Sequence, residues 1–217
     1  MALKKSELPP KRKSQTWRAV ALGLWLVAGL VAAEPTRTIL FFGDSITAGS
    51  GLDPDEAFPA LIQKKIDETG RPWRVVNAGL SGETTAGGLR RLDWILRQPV
   101  DIFVIELGGN DGLRGIPPET SRANLQTMIE RIRAKHPRVT IVLAGMQMPT
   151  NMGPDYTRRF AAMYPELAEK NQTTIIPFLL EGVGGVASLN QADGIHPTAA
   201  GHQIVADTVW RTLQPLL

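Results

Sequence analysis

The sequence predicts one α/β domain built on a parallel β-sheet with helices on both faces. Three observations carry that prediction. Beyond residue 33, short apolar runs rich in β-formers alternate with stretches of helical periodicity. Intervening helices are the crossovers that parallel neighbours require. The 217 residues, 43% hydrophobic and 21% charged, suffice for one substantial core but not for two ordinary domains.

Taken in order, residues 38–42 (Thr-Ile-Leu-Phe-Phe) read as a buried strand. A helix follows over 57–69, ended by Gly70, and a second strand spans 73–77. Leu89, Leu92, Ile95 and Leu96 recur at helical spacing as far as Pro99. Residues 102–107 form a third strand. The stretch 121–136 then sets Leu125, Met128, Ile129 and Ile132 on one helical face and stops at Pro137. A fourth strand over 140–144, a helix over 155–171, a fifth strand over 174–178 and a terminal helix over 199–213 complete the order. Such sheets bind ligands outside the carboxyl ends of their strands, near a switch in strand order. Function is therefore expected in the loops after the first three strands and in whatever segment packs beside them.

The basic residues are not where nucleic-acid recognition would need them. Residues 1–33 hold six Lys/Arg and one Glu, a net +5, against +3 for the whole chain, so residues 34–217 carry −2. No electrostatic footprint for DNA or RNA is left on the domain. The leader instead has a basic stretch to Arg18, an apolar run over 19–31 and small residues at Val31-Ala32-Ala33, the pattern of a secretory signal peptide. That run falls short of the roughly twenty residues of a membrane span. An uncleaved signal anchor is the alternative, which Trp25 and the long basic region would suit. The expectation is a signal peptide over 1–33, a domain over 34–217, an exported protein in the periplasm or outside the cell, and no stable membrane insertion after cleavage. The chain has no cysteine, so neither disulfides nor an N-terminal lipid-modified Cys is available. No feature forces an oligomer, and a monomer is the default.

Four segments carry residue types suited to acyl transfer. Gly43-Asp44-Ser45-Ile46-Thr47-Ala48-Gly49 follows the first strand, where a serine can present its hydroxyl or equally serve as a helix N-cap. Asp193-Gly194-Ile195-His196-Pro197 precedes the terminal helix. It offers an imidazole to accept a serine proton and a carboxylate to orient that imidazole, or else a plain Asp-Gly turn beside a surface histidine. Asn77-Ala78-Gly79-Leu80-Ser81-Gly82 and Gly108-Gly109-Asn110-Asp111 follow the second and third strands. They can supply oxyanion donors from the Gly82 amide and the Asn110 side chain, or can be glycine-rich connections only. No G-x-S-x-G elbow is present, against the ordinary α/β-hydrolase fold.

Gly43-Asp44-Ser45, Ser81-Gly82, Gly108-Gly109-Asn110-Asp111 and Asp193-Gly194-Ile195-His196-Pro197 resemble, in order and spacing, the four blocks of the SGNH (GDSL-type) hydrolases. The similarity runs from about Thr38 to the C-terminus. It is closest to the secreted bacterial multifunctional thioesterase/arylesterase/lysophospholipase group, and the stretch from Glu106 through Gly115 supports it. The resemblance implies a flavodoxin-like three-layer α/β/α sandwich with a five-stranded parallel sheet. It implies Ser45 as nucleophile, His196 as general base and then acid, and Asp193 orienting it. The Ser45 N–H, the Gly82 N–H and the Asn110 side chain would form the oxyanion hole, with Gly79 as second candidate in its loop. The implied substrate is a small acyl ester or thioester, with no cofactor and no metal.

Leu113, Ile116, Met146, Met148, Pro149 and Met152 lie after the third and fourth strands and can line an acyl groove or simply pack under a loop. Arg114 and Gly115 fall in a segment that resembles a mobile substrate loop of the family. Asp44, Asp111 and Glu106 are expected to anchor loops, and His136 to close a helix. His202 with Asp193 matches no common zinc spacing. Gly182-Val183-Gly184-Gly185-Val186-Ala187 fits G-x-G-x-x-A formally but has no βαβ unit after it, so it reads as a flexible loop. A carbohydrate O-acetyl esterase is the alternative within enzymes. A non-catalytic module holding phosphate or flavin is the alternative outside them.

Overall fold

The computed structural model describes residues 36–217. The predicted leader over 1–33 lies outside the described residues. Five strands, β1 (Arg37–Gly43), β2 (Trp73–Asn77), β3 (Ile102–Glu106), β4 (Thr140–Ala144) and β5 (Thr174–Ile176), form one parallel sheet in the order β2-β1-β3-β4-β5. Every neighbouring pair is parallel, with Phe41 opposite Asn77 and Gly43 opposite Glu106 in the two pairings of β1. The central strands β1 and β3 are buried almost throughout, whereas the edge strand β2 buries only Trp73 fully. Central strands are covered on both faces, which is why they read as continuous apolar runs.

The helices are α1 (Ser45–Ala48), α2 (Phe58–Thr69), α3 (Thr85–Ile95), α4 (Gly109–Leu113), α5 (Pro118–Lys135), α6 (Pro154–Asn171) and α7 (Ala199–Leu213). The chain leaves β1 toward β2 and then returns across β1 to β3. Right-handed crossovers therefore place α2 on one face and α3 on the other. In agreement, α2 packs with α7, α3 with α5, and α5 with α6. The result is the three-layer α/β/α sandwich expected, and the reversal of direction around β1 puts the switch point at the ends of β1 and β3.

Predicted boundaries move by a few residues, for local reasons. Residues 57–69 give way to α2 from Phe58, because Ala57 has an extended backbone at the N-cap. The helix expected over 121–136 starts at Pro118, a proline at the first helical position, and ends before His136. The fifth strand stops at Ile176, where Pro177 cannot donate to a ladder. Two segments expected as loops contain helix: Asn110 and Leu113 belong to the one-turn α4, and Met152 to a 3-10 turn over Thr150–Met152. The 182–187 segment is a run of hydrogen-bonded turns rather than an open loop. Asn190 Nδ2 donates to the Val183 and Val186 carbonyls, and the Val183 side chain is fully buried.

Candidate active site

The site forms where β1 ends. Asp44, not Ser45, caps α1: its Oδ1 accepts from the Ile46 N–H at 3.0 Å. The serine hydroxyl is thereby released from capping. Gly43 is required here, since a Cβ would stand 2.1 Å from Thr47 Oγ1 and 2.5 Å from Glu106 Oε2. That crowding exists because Glu106, at the end of β3, reaches under the turn. Its Oε2 accepts from the Asp44 N–H at 3.1 Å and the Thr47 hydroxyl at 2.7 Å, gripping the chain on either side of Ser45. Its Oε1 has no partner among the described residues. Burial, with the nearby Asp44 carboxylate, pushes the Glu106 carboxyl well above its ordinary range.

His196 comes from the other end of the chain and meets Ser45 across the sheet. Its Nε2 lies 2.8 Å from Ser45 Oγ, and its Nδ1 2.6 Å from Asp193 Oδ2. A carboxylate on Nδ1 fixes the proton there, leaving Nε2 free to accept from the serine. Asp193 also receives the Ile195 and His196 amides on Oδ1, at 2.9 and 3.0 Å. The hydrogen bond from His196, with those amides, lowers its carboxyl to about 2. The loop is held in place by Gln191, whose N–H donates to the His196 carbonyl at 2.7 Å and whose Nε2 donates to the Ser50 carbonyl at 2.8 Å. Sequence reasoning missed Gln191, because its partner lies 141 positions away.

The second and third loops close around the same point. Asn110 Nδ2 donates to Asp44 Oδ2 at 3.1 Å, which commits one of its two N–H bonds and leaves the other available. Burial raises the Asp44 carboxyl to about 6, against hydrogen bonds from Ile46 and Asn110 that oppose the shift. The Gly79 N–H is spent on Asn77 Oδ1 at 2.9 Å. No acceptor among the described residues takes the Gly82 N–H, and Gly82 has φ +78°, a conformation that suits only glycine well. Of the two candidates in that loop, Gly82 is the one with an amide to offer. Asp111 anchors the third loop through Thr85 and Ser121, at 2.5–3.0 Å.

Beside Ser45 opens a cavity of about 440 Å³ whose walls include Ile46, Leu113, Met146, Met148, Pro149 and Phe178. Of the six residues expected along an acyl groove, Leu113, Met146, Met148 and Pro149 therefore line this one, whereas Met152 and Ile116 do not. Nor does Arg114: it ends α4, and its Nη2 donates to the Gly82 carbonyl at 3.1 Å. Ile116 is also elsewhere, with its carbonyl accepting from Tyr156 at 2.7 Å. Gly184 and Gly185, from the formal dinucleotide match, form part of the groove wall. His202 is buried in α7 and accepts the Phe58 N–H on Nδ1 at 3.1 Å. His136 follows α5 and contacts the Leu96 carbonyl at 3.1 Å.

A family model for the GDSL-like lipase/acylhydrolase family matches residues 41–204. The chain is 46% identical over 197 residues to the esterase TesA of Pseudomonas aeruginosa, covering 90% of this chain and 96% of that protein. It is 36% identical over 195 residues to the thioesterase 1/protease 1/lysophospholipase L1 of Escherichia coli K12, covering 89% and 91%. Among solved structures, a crystal structure of TesA superposes with a TM-score of 0.80 at 46% identity, over 83% of this chain and all of the other. In fold, in the order of its four sequence blocks and along most of its length, this chain belongs to the GDSL-like lipase/acylhydrolase family.

Proposed function

We propose that the protein hydrolyses carboxylic esters and thioesters through an acyl-enzyme formed on Ser45. The observation that carries this reading is the continuous contact from Asp193 through His196 to Ser45 Oγ, at 2.6 and 2.8 Å. As Ser45 Oγ attacks the acyl carbonyl carbon, its proton passes to His196 Nε2, and the imidazolium is stabilised by the ionised Asp193. The negative charge gathering on the former carbonyl oxygen meets the Ser45 N–H, the Gly82 N–H and the free N–H of Asn110. The Ser45 amide lies in the first turn of α1, where helix amides have no intrahelical acceptor. Collapse breaks the bond to the leaving oxygen or sulfur, which takes the proton from His196. Water then enters, gives a proton to His196, and releases the acid and Ser45 in the same two stages.

The methionine- and leucine-lined groove supports acyl chains as substrates, since flexible apolar walls accept varied chain lengths. The relatives' names, esterase and thioesterase 1/protease 1/lysophospholipase L1, support aryl esters, acyl thioesters and lysophospholipids as the substrate range. A groove of this size is larger than an acetyl group requires, which argues against a carbohydrate O-acetyl esterase. Residues 1–33 act as a cleaved signal peptide, on the strength of the basic stretch, the short apolar run and Val31-Ala32-Ala33. The working protein is then exported, to the periplasm or beyond, and acts as a monomer. Hydrolysis of p-nitrophenyl esters from acetyl to palmitoyl, with Ser45→Ala alongside, tests the reading. Turnover lost by roughly 10³-fold or more in the variant is expected. Equal turnover in both would refute the serine mechanism.

A further inference from the structure

We infer that Arg91 is a positioning residue for the oxyanion site: its guanidinium clamps the loop carrying the Gly82 amide to the strand end that carries Ser45. The inference rests on the oxyanion role proposed above for Gly82. Arg91 lies on α3, one helix away from every residue in that mechanism, yet its side chain reaches three points of the site. Nη2 donates to the Ala78 carbonyl at 2.8 Å and to the Gly43 carbonyl at 3.3 Å. Nε donates to both carboxylate oxygens of Glu83, at 2.8 and 2.7 Å, and Nη2 also donates to Glu83 Oε2. The guanidinium lies over the buried Phe42 ring, 4.1 Å from its centroid.

The positions of these contacts matter more than their number. Gly43 is the last residue of β1, two before Ser45. Ala78 begins the loop after β2, and Glu83 directly follows Gly82. One rigid fork therefore holds both ends of the segment that contains Gly82, and refers them to the strand that presents the nucleophile. The Gly43 carbonyl also accepts the Leu80 N–H at 2.9 Å, so the clamp closes on a contact the backbone already makes. The ion pair is shielded, with the Glu83 side chain 3% and the Arg91 side chain 22% exposed. A shielded pair is a costly way to hold a loop unless its geometry serves a purpose. Neither Arg91 nor Glu83 lines the acyl groove, so the effect of altering them is expected on the placement of the donor rather than on substrate contact. Arg114, on the Gly82 carbonyl at 3.1 Å, holds the same loop from its exposed side.

A lysine at position 91 can still pair with Glu83, but a single ammonium does not reproduce a fork that reaches a carboxylate and two carbonyls together. The experiment compares Arg91→Lys, Arg91→Met and Glu83→Gln with the unaltered protein and with Ser45→Ala. It reads kcat and KM for p-nitrophenyl butyrate, inhibition by an alkyl boronic acid that adds to the serine as a tetrahedral anion, and the melting temperature. Displacing one oxyanion donor is expected to lower kcat by roughly 10- to 100-fold, with KM changed less than about threefold. Boronate affinity is expected to fall in parallel with kcat. Arg91→Lys, which keeps the charge, should melt nearest to the unaltered protein and still lose kcat. Unchanged kcat and boronate affinity in Arg91→Lys, or a loss confined to melting temperature in all three variants, would overturn the inference. Retained activity in Ser45→Ala would instead overturn the serine mechanism on which it rests.

Discussion

Acidification should unfold this protein partly through one histidine, His202, that lies outside the proposed triad. His202 is 1% exposed in α7, stacks on Phe58 with ring centroids 6.1 Å apart, and accepts the Phe58 N–H on Nδ1 at 3.1 Å. An acceptor at Nδ1 demands the neutral ring with its proton on Nε2. Burial, with a smaller electrostatic share from His196, lowers the His202 pKa from 6.5 to about 4. The folded state therefore resists a proton that the unfolded chain takes up readily. The associated stability is fully present above pH 6.5 and is lost as pH falls through about 4. The full interval is worth about 3 kcal/mol, of which about 2 kcal/mol is gone at pH 5.

Urea unfolding between pH 8 and pH 5, compared with His202→Asn, isolates this contribution. Asparagine places an amide oxygen near the position of Nδ1 and does not titrate, so its lost stacking is a constant offset. Asp193, lowered to about 2, contributes stability that is lost only below about pH 4, outside the window. Asp44, raised to about 6, acts in the opposite sense. Its stability is fully present below 3.8 and lost as pH rises through 6, equally in both proteins. The unaltered protein should lose about 2 kcal/mol more than the variant on going from pH 8 to pH 5. Parallel stability curves for the two proteins would show that His202 is not the group responsible.

Asp193→Asn should lower kcat by roughly 10³- to 10⁴-fold without unfolding the protein, because an amide can leave His196 in the wrong tautomer; circular dichroism and steady-state kinetics check both parts. Because the Asp193 carboxyl is lowered to about 2, it is ionised throughout the working range, so a fall in activity between pH 7 and pH 5 arises elsewhere and should persist in Asp193→Glu. Leu113→Trp puts a larger ring on a groove wall from a position already 42% exposed. It should shift the p-nitrophenyl ester profile toward shorter chains and leave the melting temperature within about 2 °C; an unchanged profile would remove Leu113 from the acyl path.

The elements of the sheet were legible because their signals are local. A buried strand such as Ile39 to Phe42 is apolar on both faces, and a helix such as α5 repeats its apolar residues every three or four positions. The four blocks were legible for a related reason. Asp193 and His196 are three residues apart, and their hydrogen bonds close within one turn. Asp44 and Asp111 were readable as loop anchors because each stands beside a candidate site residue, and Glu106 because it ends a strand.

What tertiary structure alone decided are the pairings between distant segments. Ser45 and His196 are 151 positions apart, and only the path of the segment between β5 and α7 back toward the end of β1 brings Nε2 to the hydroxyl. Asp44 displaces Ser45 as the cap of α1 because Glu106, 62 positions on, draws the Asp44 amide inward. Whether Gly79 or Gly82 has a free amide depends on where the Asn77 side chain folds. Arg114 looks like any exposed loop cation until its contact with Gly82 is seen, and Arg91 looks like any helix cation until its fork closes on Gly43, Ala78 and Glu83. Periodicity and capping are set by neighbours within about four residues along the chain. The sequence by itself thus determined the strands, the helices and the residue types at the strand ends. The directions of side chains that bond across elements were decided by packing, which no local pattern encodes.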